Sequence, residues 1–557
     1  MTVPHRVAAA LATHIHHVFG LMGNGNAHLI DAFGELGVPF TALRHEAGTV
    51  AAADTYWRAS RRLAVATTTY GAGYTNTLTA LAEAAQARIP LILLTGGQPS
   101  SGARPFDVDQ AAISEAVRAP YLRVSPEEPA DAVHEAVRTA LAERLPVVLD
   151  LPYDLTRAET PARPMPDPGD LRPEPVAPDP VAVEEAARLL HGARRPVILA
   201  GRGAHEADAG PTLRLLADAV GALTAETALA RGLFADASHH LGVTGGFGHE
   251  EAMALVREAD VVVAVGASLS QFTMRFGGLL GPDATLIQLD DAGAATHPRV
   301  DLLVHGDARQ SAAALLDALD GVEIDTQWRA RAAQSWPRQR DAGVGICADG
   351  RLDPRSVSSR LAQLLPENRV VVTDGGHFIG WPNTHWPVAS PERMLMVGTA
   401  YQTIGLGFPS AVGAAQAIDG ATVVLATGDG GGLMALADLE SVVRSCPSAV
   451  VVVFNDAAYG AEVHLYGEMG LDQAPMRIPE VDFAGLGEAL GATGVVVRSL
   501  EDLDAVERWM HDGARGTLVV DCRISRSVVA DHQREIQRIN GVAPKADAAP
   551  VESSAAP

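Results

Sequence analysis

A chain of 557 residues is long enough for three or four domains, each with an apolar core of its own. Its 67 acidic against 43 basic side chains leave a formal charge of -24, and no run of Lys or Arg could neutralise a row of phosphates, so nucleic acid is not an expected partner. No stretch of about 18 uncharged apolar residues could span a bilayer, and the first twenty residues lack the apolar core of a secretory signal, so the expected address is cytoplasmic. Cys347, Cys446 and Cys522 are too few and too scattered for a disulfide framework or a cysteine metal site, and are expected to be reduced and buried.

Short β-branched runs, Gly-rich turns and Ala/Leu-rich helical stretches recur along the whole chain, which predicts an α/β protein with parallel sheets flanked by helices. Two breaks, a Pro-rich charged stretch at 157–180 and a polar one at about 325–350, read as linkers. They divide the chain into three consecutive domains at 1–165, 178–325 and 350–535. An Ala/Pro/Ser-rich tail at 541–557 has the composition of a disordered segment.

In the first domain, a predicted strand at 18–21 runs into Gly23-Asn24-Gly25-Asn26, with a helix from about Ala27. A second strand ends near His45-Glu46, with a helix expected from about Thr49, and a third, 63–69, runs into Tyr70-Gly71-Ala72-Gly73. Polar loops after strands mark the edge at which open α/β sheets bind ligands. His14, His16 and His17 suggest a metal cluster by their spacing, but they precede a buried strand and are expected to be solvated. The middle domain repeats the strand-then-glycine pattern at 196–204, 260–268 and 285–292. Gly201-Arg202-Gly203 lacks the third glycine of a dinucleotide loop, so a structural domain with an empty pocket is the favoured reading.

The segment 421–460 carries the most chemistry. It parses as a strand, a Gly-rich loop, a helix of about a dozen residues and a second strand, which a right-handed crossover would set parallel to the first. Asp429 on one loop and Asn455-Asp456 on the next would then be neighbours, able to hold a hard cation such as Mg²⁺ while glycine amides approach an anion. The natural guest is a metal-bound diphosphate, and since no P-loop occurs a P-loop nucleotide site is not expected.

Gly428-Asp429-Gly430 followed 27 residues after its Asp by Asp456 resembles the diphosphate motif of thiamine-diphosphate-dependent enzymes. The resemblance implies Asp429, Asp456 and the Ala458 carbonyl as metal ligands, with Asn455 as the alternative, since Asp456 stands where the family has a second Asn. It also implies a partner feature near the chain start. Arg44-His45-Glu46 is similar to the family segment whose Glu hydrogen-bonds the aminopyrimidine ring and promotes carbanion formation. On its own, Glu46 reads as a surface charge at a helix N-terminus; a catalytic carboxyl group would need an apolar, water-poor setting. The block at 68–96 is family-like and brings in Tyr70 and Asn76, although Ala72 replaces a Pro. The blocks at 370–381 and 401–417 add Gly376, His377 and Thr403, with Ile404 where the family wedges the cofactor into a bent shape. Gly431, Tyr459 and Gly460 complete the implied cofactor set.

The resemblance spans nearly the whole chain in the order pyrimidine-binding, middle and diphosphate-binding domain. It points to acetolactate synthase and its relatives among 2-oxo acid decarboxylases, benzaldehyde lyase and oxalyl-CoA decarboxylase. It implies thiamine diphosphate and Mg²⁺, and a homodimer or homotetramer whose cofactor lies between the first domain of one subunit and the third of another. FAD is possible by analogy with acetolactate synthase, but no motif supports it. Asn24, His28, Tyr70, Asp109-Gln110, His377, Glu462 and His464 are candidates to meet a 2-oxo acid or hydroxyketone substrate. Glu462 and His464 alternate as on a strand or extended turn and are expected to face the cleft. Val108-Asp109-Gln110, Gly376-His377-Phe378 and the stretch 461–470 depart from acetolactate synthase, so a specialised carboligase or decarboxylase is expected. The alternatives are a lyase for hydroxyketones or acyl-CoA esters, for which Asp109-Gln110 gives a hint, and a non-catalytic partner subunit.

Overall fold

The computed structural model describes residues 1–161, 169–235, 237–319, 327–335 and 339–542. The expected disordered tail therefore lies outside the described residues beyond 542. Three six-stranded parallel sheets follow one another, each flanked by helices, as the sequence pattern predicted. The first contains β1 (Ile15–Gly20), β2 (Phe40–Ala42), β3 (Leu63–Thr68), β4 (Leu91–Gly97), β5 (Tyr121–Arg123) and β6 (Pro146–Pro152), in the order β2-β1-β3-β4-β6-β5. The middle sheet holds β7 (Pro196–Ala200), β8 (Leu223–Glu226), β9 (His240–Val243), β10 (Val261–Val265), β11 (Thr285–Asp290) and β12 (Leu302–His305), ordered β12-β11-β10-β7-β8-β9. The third holds β13 (Arg369–Thr373), β14 (Met394–Met396), β15 (Thr422–Gly428), β16 (Ser448–Asn455), β17 (Thr493–Val497) and β18 (Gly516–Arg523), and its order β14-β13-β15-β16-β18-β17 repeats the topology of the first.

Strands buried on both faces need continuous apolar runs, and β3, β4, β13 and β15 are buried at every residue. In the first and third sheets the strand order reverses beside β1 and β13, between β1/β3 and β13/β15. Loops leaving the carboxyl ends of those four strands therefore open onto a crevice, the place where doubly wound sheets take ligands.

One apolar cluster joins the first and third domains. Val50, Ala52 and Tyr56 of the helix Glu46–Ser60 pack with Phe408, Ala411 and Val412 of the helix Gly407–Ala417. Gly413 makes this contact possible, because a Cβ there would lie 2.2 Å from the Ala52 carbonyl oxygen. Buried Arg58 ties the same interface, donating to the Met396 carbonyl at 3.0 Å beside Asp54 and Glu83.

Three local expectations need correction. Part of the stretch read as a second linker is the helix Gln327–Ser335, whose buried Trp328 packs on the middle domain and donates Nε1–H to the Pro196 carbonyl at 3.2 Å. His17 is buried, not solvated: on β1 it stacks on Phe19 with ring centroids 4.5 Å apart and hydrogen-bonds Thr41 Oγ1 at 2.9 Å. The Gly-rich segment after β15 is no loop, since Asp429–Met434 is already helical and is followed by a second helix, Ala437–Ser445.

Candidate active site

The third-domain half of the site lies in a cleft of about 1250 Å³ that continues toward the middle domain. Parallel pairing sets Gly428 of β15 opposite Phe454 of β16, so Asp429 and Asp456 leave the same sheet edge. Both carboxylates are buried. The Ala458 amide joins them, donating to Asp456 Oδ1 at 3.2 Å and also to the Asp429 carboxylate. Burial raises the Asp429 carboxyl to about 6; burial, and then the neighbouring Asp429 charge, raise Asp456 to about 7. Asp429 Oδ2 is buried with no hydrogen-bond partner. Two carboxylates forced together, with an orphaned oxygen, form a donor set that fits a hard divalent cation. Among the described residues no group of three or more His, Cys, Asp or Glu could hold a metal. A cation here would thus depend on these two carboxylates, a main-chain carbonyl and oxygens of its guest. Asn455 turns its amide toward β18: Nδ2 donates to the Val481 carbonyl at 3.0 Å and to Asp521 Oδ1 at 2.9 Å, and Oδ1 is buried with no partner, whereas Asp456 shares the Ala458 amide with Asp429. Asp456 is therefore the residue brought to Asp429.

Around this pair the cleft is lined by Gly376, His377, Thr403, Ile404, Gly428, Gly430, Gly431, Ala458, Tyr459, Gly460 and Glu462. Several glycines keep the floor open or allow close packing. A Cβ on Gly460 would lie 2.9 Å from Asp456 Oδ2, and one on Gly430 would meet the Tyr459 ring at 2.7 Å. Asp374, which sequence reasoning missed, holds the cleft together. Fully buried, it accepts hydrogen bonds from the amides of Gly375 (2.8 Å) and Gly405 (2.9 Å) and from Thr427 Oγ1 (3.3 Å). Amides of Leu406 and Gly407 add to these and offset part of the burial that raises its pKa. One carboxylate thus ties the turn after β13 to the end of β15 and to the segment presenting Ile404. Its only sequence signal was a Thr-Asp-Gly-Gly run at a strand end.

Glu46, Asn76, Asn24 and Tyr70 cluster at the first-domain crevice, away from that cleft. The helix begins at Glu46, three residues before the expected start near Thr49, because His45 caps it with its side chain toward the Ala47 amide at 3.2 Å. Asn76 Nδ2 donates to Glu46 Oε2 at 3.0 Å. Asn24 donates from Nδ2 to the Tyr70 hydroxyl at 2.6 Å and accepts from Thr69 Oγ1 at 3.1 Å. Tyr70 packs among Phe106 and Tyr153, with the Arg104 guanidinium 4.1 Å from its ring centroid. Asn24 and Asn76 are exposed and Glu46 is half-buried, so this chain alone does not give Glu46 a water-poor setting.

The remaining candidates lie in different surroundings. His28 is exposed, with Arg157 Nε donating to its Nε2 at 3.2 Å. Glu462 and His464 lie not on a strand but on a helical turn that continues as the π-helix Val463–Gly467. Two residues on such a turn diverge by about 200°: Glu462 lines the cleft, whereas His464 is buried behind His377, ring centroids 4.5 Å apart. Asp109 caps a helix by accepting from the Ala112 amide at 3.0 Å. Gln110 is buried, accepting from the Gly71 amide at 3.3 Å and donating to the Gly96 carbonyl at 3.2 Å. Gln110 is thus held in the core, whereas Asp109 remains exposed. In the middle domain, Cβ atoms on Gly201 and Gly203 would collide with Gly266 at 2.3 and 2.8 Å. Those glycines serve loop packing and give no support to a flavin.

The two crevices can be compared with known proteins. Residues 1–117, 183–315 and 374–522 match, in that order, the N-terminal TPP binding domain, the central domain and the C-terminal TPP binding domain of thiamine pyrophosphate enzymes. The large subunit of acetolactate synthase isozyme 2 from Escherichia coli is 30% identical over 532 residues, 90% of this chain and 91% of that one. The chain belongs to the thiamine pyrophosphate enzyme family. The sulfoacetaldehyde acetyltransferase of Castellaniella defragrans is 28% identical over 577 residues, covering 95% of this chain and 94% of its own. Benzoylformate decarboxylase from Polynucleobacter necessarius shares the fold, with a TM-score of 0.81 at 22% identity over 94% of this chain and 99% of that one. This thiamine pyrophosphate enzyme is of the acetolactate synthase/decarboxylase type. No described helix is long and apolar enough to cross a membrane.

Proposed function

We propose that this enzyme is a Mg²⁺-dependent carboligase or decarboxylase acting on a 2-oxo acid, and that it works as a homodimer or homotetramer. The observation that carries the reading is the pairing of a buried dicarboxylate with one orphaned oxygen at one crevice with a Glu46–Asn76 pair at the other. The first suits a metal-bound diphosphate and the second an aminopyrimidine. Because Glu46 does not line the cleft that Asp429 lines, a second copy would complete each site and exclude water from Glu46.

Bound thiamine diphosphate supplies a carbanion that adds to a carbonyl and a ring that accepts the electron pair released on C–C cleavage. The chain's residues set the conditions. Asp429, Asp456 and the Ala458 carbonyl would hold the cation, and the Ile404 segment fixed by Asp374 would press on the cofactor's flexible centre. Glu46, steered by Asn76, would share a proton with a ring nitrogen. Asn24 and Tyr70 would meet the substrate from the first-domain side, and Glu462 from the third-domain side.

The names of the acetolactate synthase and sulfoacetaldehyde acetyltransferase relatives set the substrate panel. Purified protein with thiamine diphosphate and Mg²⁺ is incubated with 2-oxo acids, with and without aldehyde and ketone acceptors, and separately with sulfoacetaldehyde and phosphate, beside a Glu46→Gln control. Carbon dioxide and a new hydroxyketone in the wild type alone support the proposal. Silence with every 2-oxo acid despite bound cofactor overturns it and turns the search to hydroxyketone cleavage or a non-catalytic role.

A further inference from the structure

The C-terminal helix Asp531–Ile539 lies over the wall of the cleft and is tied to it by side-chain contacts. Gln533 Nε2 donates to the Ala461 carbonyl at 3.2 Å and Gln537 Nε2 to the His464 carbonyl at 2.7 Å. From the middle domain, Arg275 Nε reaches Glu535 Oε1 at 3.1 Å, and Phe247 packs on His532 with centroids 5.4 Å apart. Just before the helix, the Ala530 main-chain N–H donates to His377 Nε2 at 2.9 Å in buried surroundings.

That contact decides which ring nitrogen carries the proton. A nitrogen that accepts an N–H cannot bear a hydrogen, so Nε2 is bare and the neutral imidazole has its proton on Nδ1. His377 lines the cleft, and its Nδ1 lies 3.5 Å from where a Cβ on Gly460 would stand, a position also 2.9 Å from Asp456 Oδ2. The arginines lining this cleft, Arg58, Arg61, Arg88, Arg144, Arg172 and Arg202, all come from its first- and middle-domain end. At the Asp429 end the nearest cation, Arg526, is engaged with the Asp456 carbonyl at 3.1 Å, so the His377 ring is the side chain placed to offer an anion a neutral donor. In the other tautomer His377 would present a lone pair there instead.

We propose that Ala530 is a positioning residue: by donating to His377 Nε2 it fixes the Nδ1–H tautomer, presents a donor to an anion in the cleft, and couples docking of the C-terminal helix to anion binding. This rests on the proposed cofactor reading, in which that anion is a diphosphate. Coupling is reciprocal, so a bound diphosphate also stabilises the docked helix.

The test is a double-mutant cycle in the full-length protein with Mg²⁺, read as the dissociation constants of thiamine diphosphate and of inorganic diphosphate. Ala530→Pro removes the N–H at a residue whose φ of -69° suits proline. Ala530→Gly keeps the N–H and controls for local loosening. One lost hydrogen bond of this kind predicts roughly five- to tenfold weaker binding for Ala530→Pro, little change for Ala530→Gly, and less than about twofold further loss when Ala530→Pro is added to His377→Ala. Amide hydrogen exchange of residues 531–539 should slow on adding Mg²⁺ and inorganic diphosphate to the wild type, and not in His377→Ala. Equal losses from Ala530→Pro in both backgrounds, or exchange that slows equally in both, would overturn the proposal while leaving the cofactor reading intact. A wild type that binds neither ligand would overturn both.

Discussion

Asp456 stands where the family motif has an amide, and the consequence can be worked out for Asp456→Asn. With Asp429 near 6 and Asp456 near 7, the cation-free site holds about 0.5 and about 0.9 proton on the two carboxyls at pH 6, and together about 0.1 at pH 8. A divalent cation needs both carboxylates charged, so binding must expel those protons. The variant keeps only the Asp429 proton. Calorimetry of Mg²⁺ binding in the presence of thiamine diphosphate, repeated in buffers of different ionisation enthalpy, counts the protons released. The cofactor's own proton cancels in the difference. Wild type should release about 0.9 proton more than the variant at pH 6, and about 0.1 more at pH 8. A carboxyl raised above its unfolded value of about 3.9 contributes stability that is full at low pH and is lost as pH rises through the folded value. Metal-free wild type should therefore lose stability between about pH 4 and 7, by at most about 4 kcal/mol from Asp456, and the variant should lose less. Equal proton release by the two proteins at pH 6 would refute the picture of two mutually repelling buried carboxylates.

Glu46→Gln should bind cofactor within about twofold of wild type and lose turnover by at least about a hundredfold, the scale of general acid–base assistance; residual wild-type turnover would defeat the role given to Glu46. Asp429→Ala should fail to retain Mg²⁺ and thiamine diphosphate through gel filtration, and unchanged cofactor affinity would remove Asp429 from the metal set. Gly413→Ala places a methyl 2.2 Å from the Ala52 carbonyl and should destabilise the joint between first and third domains by about 1–3 kcal/mol, read as a lower denaturant midpoint. An unchanged midpoint would show that the two helices can separate freely.

How much of this was legible in the sequence depended on where each function sits along the chain. The Asp429–Asp456 pair was readable because one strand–turn–helix–strand unit carries it, and parallel pairing fixes the two strand ends side by side whatever the rest of the chain does. Glu46 was singled out by resemblance, whereas its place at the start of a helix was not foreseen: His45 capping sets the boundary three residues before the expected start near Thr49. His464 was misplaced because alternation of polar residues two apart suits a strand, and a π-helix leaves no sequence signature. His17 misled for a related reason. A polar residue two positions from Phe19 shares its face of β1, and the Thr41 hydroxyl offered it a partner inside. Asp374 and Ala530 act on or through main-chain amides, so only the folded path shows what they join.

The repeated topology gives the chain two separate crevices. First and third sheets share one strand order, and each opens a crevice at its switch point. The first offers Asn24, Tyr70 and Glu46; the third offers His377, Ile404 and Asp429. Packing of the helix Glu46–Ser60 on Gly407–Ala417 uses the sides of these two domains within one chain and leaves the crevices apart. Exposed apolar residues beside them, Met22, Phe106 and Val108 on the first domain, and Tyr401, Met434 and Tyr466 on the third, are the kind of surface a second copy would cover. A ligand with an aminopyrimidine at one end and a metal-bound diphosphate at the other is matched to two crevices facing each other across such a contact. On this reading dilution should remove activity and the water-poor setting of Glu46 together, because both would arise from the same covered surface.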